Sequence, residues 1–125
     1  MKSRNLKWIL LPLLLTCVTI SEHEVQAQTF LMTGNELVKW MQEHDKYERG
    51  DPGVGEVKAS AFIGYIMGIH DATLSKYAIP RSATRDQLAA VVSKFLKENP
   101  EQWSYSASLL VQQALIKAFP KGEVK

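Results

Sequence analysis

Apolar residues recur along this chain at helical spacing, and the recurrences fall into four segments. The first segment opens at Thr33, where Thr33-Gly34-Asn35-Glu36 fits a capping box, in which two side chains satisfy backbone N–H groups at a helix start. Leu37, Trp40 and Met41 follow at i, i+3 and i+4, and the apolar pattern fades near His44. The second runs from about Val57 to about Lys76, with Phe62, Tyr65, Ile66 and Ile69 as its buried stripe. The third opens on a second capping box, Thr84-Arg85-Asp86-Gln87, and carries Leu88, Val91, Val92, Phe95 and Leu96 on one face. It stops at Asn99, because the residue before a proline disfavours the helical conformation. Pro100 then starts the fourth helix, with Asn99 as its cap. Trp103, Ala107, Leu110, Val111, Ala114 and Ala118 form its stripe, and Pro120 ends it. No segment alternates as a strand would. The expected fold is all-α, one compact bundle of four to five helices.

The connections are equally legible. Gly50-Asp51-Pro52-Gly53-Val54-Gly55 is glycine-rich and marks a loop. It lacks the Gly-Lys-Ser/Thr ending and the preceding strand of a phosphate cradle. Ile79-Pro80-Arg81-Ser82 is a second connection. Gly64 and Gly68 lie four apart on the second helix, each at a cost of ~1 kcal/mol in helix propensity relative to alanine. Their expected use is to let another helix approach. The same spacing occurs in membrane dimers, but the flanking sequence is too polar to span a bilayer.

The N-terminus has a different pattern. Lys2, Arg4 and Lys7 precede an apolar stretch from Trp8 to Ile20, shorter than the ~20 residues a membrane helix needs. A polar stretch and Val25-Gln26-Ala27 follow. Residues 1–27 are expected to be a secretory signal peptide cleaved after Ala27, leaving residues 28–125 as one exported, periplasmic domain without a lasting membrane insertion. An uncleaved anchor is the alternative. Lipidation at Cys17 is another, although Thr16 fits poorly before a modified cysteine. Cleavage removes the only cysteine, so the remaining domain must hold together by packing and caps rather than bridges.

Composition narrows the chemistry. The 125 residues carry 15 Lys+Arg and 13 Asp+Glu, a formal charge of +2, far from the basic excess of a nucleic-acid binder. Lys94, Lys97, Lys117, Lys121 and Lys125 interleave with Glu98, Glu101 and Glu123 as a solvated surface does. His70-Asp71 is the most tempting catalytic pair, yet neighbours on a helix point about 100° apart. Asp71 is better read as a hydrogen-bonding partner for a loop, with His70 at the surface or boundary. Glu43-His44-Asp45 sits where the first helix is expected to end, and a histidine there suits the helix dipole. A metal would need three or four converging ligands, and only His44 and His70 lie beyond residue 27, without cysteine. Ser104, Ser106 and Ser108 alternate without a nucleophile motif, and Trp40, Tyr65 and Trp103 read as core. The residues therefore point to no enzyme, no metal and no cofactor.

The order of motifs adds a resemblance. Gly34-Asn35-Glu36-Leu37, the run Gly64 to Ala72, Ile79-Pro80, Thr84 to Leu88, Leu96 through Glu101, and Ala114 through Pro120 occur in sequence behind an export signal. This series, from Gly34 to Pro120, resembles the Tai/Rap-type immunity proteins of type VI secretion systems. The resemblance implies a small helical periplasmic protein, often a homodimer. Its partner would be a cognate toxin of the peptidoglycan amidase class, inhibited by covering its cleft. A periplasmic helical binding or chaperone-like protein without a toxin partner is the alternative.

Members of that family commonly carry cysteines at four positions, held here by Met41, Phe62, Ala78 and Lys121. Two bridges, typically ~2–4 kcal/mol each, are thereby missing. Met41 and Phe62 are expected to meet across the first two helices, and burying a Phe contributes roughly 1.5–3 kcal/mol, a comparable amount. Ala78 and Lys121 offer no such replacement, so a looser end beyond Pro120 is expected. For partner contact, interface anchors are often aromatic or arginine. Tyr47, Arg49, Tyr77, Arg81 and Arg85, in or near the loops and expected to be exposed, are the candidate partner-binding residues.

Overall fold

The computed structural model describes residues 32–122. Both the expected signal peptide and the last three residues lie outside the described residues. Four helices form the domain: α1 (Gly34–Arg49), α2 (Glu56–Thr73), α3 (Arg85–Glu98) and α4 (Ala107–Ala118). Single 3₁₀ turns occupy Leu74–Lys76 and Pro100–Gln102. The protein is thus all-helical, and its one pairing of extended backbone among the described residues is an isolated bridge between Thr33 and Ser106.

α1 begins as its sequence predicts, with the Thr33 backbone N–H donating to Glu36 Oε2 at 2.8 Å. Its end differs from expectation. The helix does not fade near His44 but runs on to Arg49. Local pairs carry the polar turns, including Lys46 Nζ on Glu43 Oε1 at 2.7 Å. Gly50, at φ 71°, then provides the left-handed residue that closes the helix, with Asp51 N–H returning to Lys46 O at 3.0 Å.

The glycine-rich loop that follows is tied back to α1. Glu43 Oε2 accepts the Gly55 backbone N–H at 2.7 Å, just where α2 starts. The Lys46 ammonium, and then this N–H, hold the Glu43 carboxyl below its ordinary pKa, against a smaller opposing effect of burial. The unfolded chain therefore takes up a proton at this group at a higher pH than the folded protein does. Its contribution is complete above the unfolded pKa and is lost as pH falls through the lower folded one. Thermal melts between about pH 6 and pH 3 should show a shallower acid loss of stability for Glu43→Gln than for the parent. Parallel curves would contradict this account of the loop.

α2 is the central helix and touches α1, α3 and α4. Phe62 and Ile66 are fully buried, while Tyr65 and Ile69 are half-buried against the same core. Trp40 meets Tyr65 edge-on at 6.2 Å, and burial pushes the Tyr65 phenol up, partly offset by Ser108. Gly64 and Gly68 do not serve the expected purpose. Both are exposed, and nothing lies within 4 Å of a Cβ built on either. Their spacing is permissive, but this side of α2 faces outward.

α3 matches its pattern closely. Gln87 N–H donates to Thr84 Oγ1 at 3.2 Å and Thr84 N–H to Gln87 Oε1 at 2.9 Å, completing the capping box. Leu88, Val92, Phe95 and Leu96 are buried. Side chains cap its far end: Asn99 Nδ2 donates to Phe95 O at 2.7 Å and Trp103 Nε1 to Leu96 O at 2.9 Å. Asn99 thus closes α3, rather than capping a helix begun at Pro100.

The fourth helix is accordingly shorter than expected. Pro100 starts one 3₁₀ turn, the chain breaks over Trp103 to Ser106, and α4 begins at Ala107. The reason lies in α1, whose first N–H groups have no partner within the helix. Gly34 N–H donates to Tyr105 O and Asn35 N–H to Trp103 O, each at 2.8 Å, while Ala107 N–H donates to Met32 O at 3.0 Å. A continuous fourth helix would have used those carbonyls itself.

The four positions that bear cysteine in the resembling family separate into two environments. Met41 and Phe62 are both buried in the shared core, and the ring of His44, one turn beyond Met41, lies 5.4 Å from that of Phe62. Ala78 and Lys121 are exposed, and the Ala78 N–H donates to the O of Phe119, two residues before Lys121, at 3.0 Å.

Candidate functional site: a basic pocket and two histidines

The connection after α2 turns back beneath the end of that helix, and this decides the fate of Tyr77. Its expected exposure is not observed: Tyr77 is 3% exposed. The phenol lies 2.9 Å from Thr73 Oγ1 and 3.2 Å from His70 Nδ1, and its ring stacks on His70 at 5.7 Å. Thr73 itself donates to Ile69 O at 2.6 Å, so the cluster is anchored in the last turn of α2. A tyrosine whose oxygen is satisfied inward in this way is a structural post. It shapes a partner surface only through the wall it provides.

That wall belongs to a pocket of about 320 Å³ in which Tyr77, Arg81 and Arg85 come together with His70, Met67 and Leu88. Both arginines are exposed. Arg85 has Asp86 at 3.8 Å, a long and solvent-screened contact, so the positive charge at this corner is largely uncompensated. The pocket combines an apolar floor with planar cationic donors at the rim, suited to an acidic or polar group carried beside an apolar one. His70 is directed to Tyr77 rather than Asp71. Asp71 is exposed, and the loop contact expected of it does not occur among the described residues.

The remaining candidates fall elsewhere. Tyr47 is 58% exposed and lines a neighbouring pocket of about 250 Å³ that also reaches Arg85, His44 and Glu48. Arg49 turns into its own loop, with Nη2 2.7 Å from Asp51 Oδ2, and stays apart from both pockets. Sequence reasoning places His44 at a helix end and misses its burial in the core face of α1. The signal was present, since Leu37, Met41 and His44 fall at i, i+4 and i+7 on the core face of α1. The expectation that α1 ends near His44 hid it.

Among the described residues no group of three or more His, Cys, Asp or Glu converges as a metal site would require, and no helix is long and apolar enough to cross a membrane. Ser104 and Ser106 lie in the break before α4, and the Ser106 and Ser108 hydroxyls pair with each other at 2.8 Å. These features define a single-domain helical protein whose surface pockets are bordered by arginines and carboxylates. Residues 33–120 match the Rap1a immunity proteins, and the chain belongs to that family. No curated protein matches the chain. Membership gives the chain a toxin-immunity function, with a cognate toxin as the partner it binds.

Proposed function

We propose that this chain is a periplasmic immunity protein that binds a cell-wall-degrading toxin of the peptidoglycan amidase class and covers its catalytic cleft. Residues 1–27 deliver it as a cleaved signal peptide, and self-association into a homodimer is part of the same reading. Inhibition by covering needs no nucleophile, metal or cofactor on this side. It needs a rigid surface with a few strong anchors. The family match over residues 33–120 carries the proposal. The pocket that gathers Arg81 and Arg85 over an apolar floor is the surface best suited to it, and Tyr47 lies on the adjoining rim.

A competition assay tests it. Toxin-sensitive bacteria that express the chain should survive contact with a neighbour delivering the amidase, and cells expressing residues 28–125 alone, retained in the cytoplasm, should not. The double variant Arg81→Glu/Arg85→Glu should weaken toxin binding by roughly tenfold or more, as for interface arginines elsewhere. Its melting temperature should barely change, because both side chains are exposed. Protection by the cytoplasmic form, or equal protection by the variant, would contradict the location or the surface respectively.

A further inference from the structure

α1 and α3 border a cleft of about 430 Å³, lined by His44, Asp45 and Glu48 on one side and Asp86, Ser93 and Lys97 on the other. Its charges do not balance. Lys97 Nζ bridges the cleft to Asp45 Oδ2 at 2.7 Å, and Lys94 faces Glu98 one turn away at 3.8 Å. Glu48 and Asp86 are left over, giving the lining two more carboxylates than ammonium groups on a chain whose formal charge is +2. The nearest cation to Asp86 is exposed Arg85, at 3.8 Å.

Carboxylates alone describe an ordinary solvated surface. His44 is the independent observation. Its side chain is 10% exposed, its ring forms part of the cleft wall, and neither Nδ1 nor Nε2 has a hydrogen-bond partner among the described residues. A neutral imidazole carries one donor and one acceptor. The buried Thr73–Tyr77 pair is satisfied, whereas His44 Nδ1 and Nε2 share their unpaired state only with Gln113 Oε1 among the described residues, and leaving both nitrogens of one ring unpaired costs stability. Glu48 Oε1 stops at 3.8 Å from Nε2, too far for a hydrogen bond. Glu48 is 62% exposed and so has room to swing.

The geometry points to a socket for an arginine side chain of the protein partner. A guanidinium is planar and carries five N–H donors, enough to pair with both Glu48 and Asp86 at the rim. Glu48, drawn in by the cation, then closes its 3.8 Å gap to His44 and accepts the Nε2–H. The aliphatic stem lies over Ala90 on α3. An ammonium, a compact point charge, fills fewer of these positions. A metal ion is a poor occupant, because no group of three ligands converges among the described residues. The socket deepens the toxin-binding reading and rests on it for the partner's being a protein. It also complements the basic pocket around Arg81 and Arg85, and the pocket beside Tyr47, which reaches His44, Glu48 and Arg85, lies between the two sites of opposite charge.

The test uses no toxin, so a dead socket with protection intact and a working socket without protection are different results. The purified protein is titrated with N-acetyl-arginine N-methylamide and followed by NMR at the His44 ring and the amides around the cleft. Saturable shifts are expected there, several-fold weaker with the lysine analogue and absent with the norleucine analogue. Glu48→Gln/Asp86→Asn should weaken the arginine response by about tenfold, roughly as for two partly exposed ion pairs. His44→Phe should weaken it by about tenfold as well, with thermal stability equal to or above the parent's, because an unpaired buried polar ring is replaced by an apolar one. Absence of saturable shifts, an equal response to the lysine or norleucine analogue, or unchanged binding in either variant would overturn the socket.

Discussion

Phe62→Ala is expected to lower the stability of the domain by about 3–5 kcal/mol, a fall in melting temperature of roughly 15–30 °C for a chain of this size. Phe62 is fully buried on α2, which packs against all three other helices and most extensively against α1. Removing its ring therefore loses transfer free energy and leaves a cavity that α1, α3 and α4 cannot all close at once. The effect is large here because a small domain is stabilised by only about 5–15 kcal/mol in all. The position also has a particular burden, since the resembling family places a cysteine there and this chain has none beyond Cys17. Thermal and urea melts of the parent and the variant measure it directly. A loss below about 1 kcal/mol, well under the range for deleting a buried ring, would mean that the packing of α1 on α2 does not depend on this side chain.

The second large effect is counterintuitive from propensity alone. Alanine is favoured over glycine by ~1 kcal/mol inside a helix, yet Gly34→Ala is expected to destabilise by about 2–3 kcal/mol net. A Cβ at Gly34 would collide with Leu110 Cδ1 and would lie 2.7 Å from Trp103 O and 2.9 Å from Trp103 Cα. The leucine tip can rotate, but the backbone cannot withdraw cheaply. Trp103 O holds the Asn35 N–H at 2.8 Å, and the Trp103 indole is fastened to Leu96 O at 2.9 Å. Moving that strand of loop would uncap α1 and α3 together. Gly64→Ala is the control, because open space surrounds its Cβ, and it should gain up to ~1 kcal/mol from propensity. The two variants, measured by the same denaturant titration, should shift in opposite directions. A stabilised Gly34→Ala would contradict the contact between α1 and the break before α4.

These cases show what the sequence makes legible. α3 could be read almost completely, because its start, its stripe and its stop are all local: the Thr84–Gln87 box, the residues from Leu88 to Leu96, and Asn99 before Pro100. The end of α1 could not, because Glu43 to Arg49 has no apolar period and is held by ion pairs and by a glycine in the left-handed region. The break before α4 was hidden for a different reason. Its cause is a set of hydrogen bonds to α1, some 70 residues away in sequence and invisible to any window of neighbours. The outward direction of Gly64 and Gly68 depends likewise on which side of α2 the other helices occupy.

The candidate site divides along the same line. Arg81, Arg85 and Tyr47 are exposed as their positions near loops predict. Tyr77 is not, because its burial is decided by His70 and Thr73 at the end of the preceding helix. His44 was concealed by a wrong helix boundary, not by an absent signal.

The central claim is that this domain captures and silences a cell-wall hydrolase. Its most direct test is to incubate tagged protein comprising residues 28–125 with the envelope and secreted fractions of toxin-delivering bacteria, identify what is retained by mass spectrometry, and assay the retained material on peptidoglycan. The account predicts one cell-wall amidase held in near-stoichiometric amount, with its activity lost while bound and restored on release. Retention of nothing, of many unrelated unfolded proteins, or of a hydrolase that stays active in the complex would contradict it.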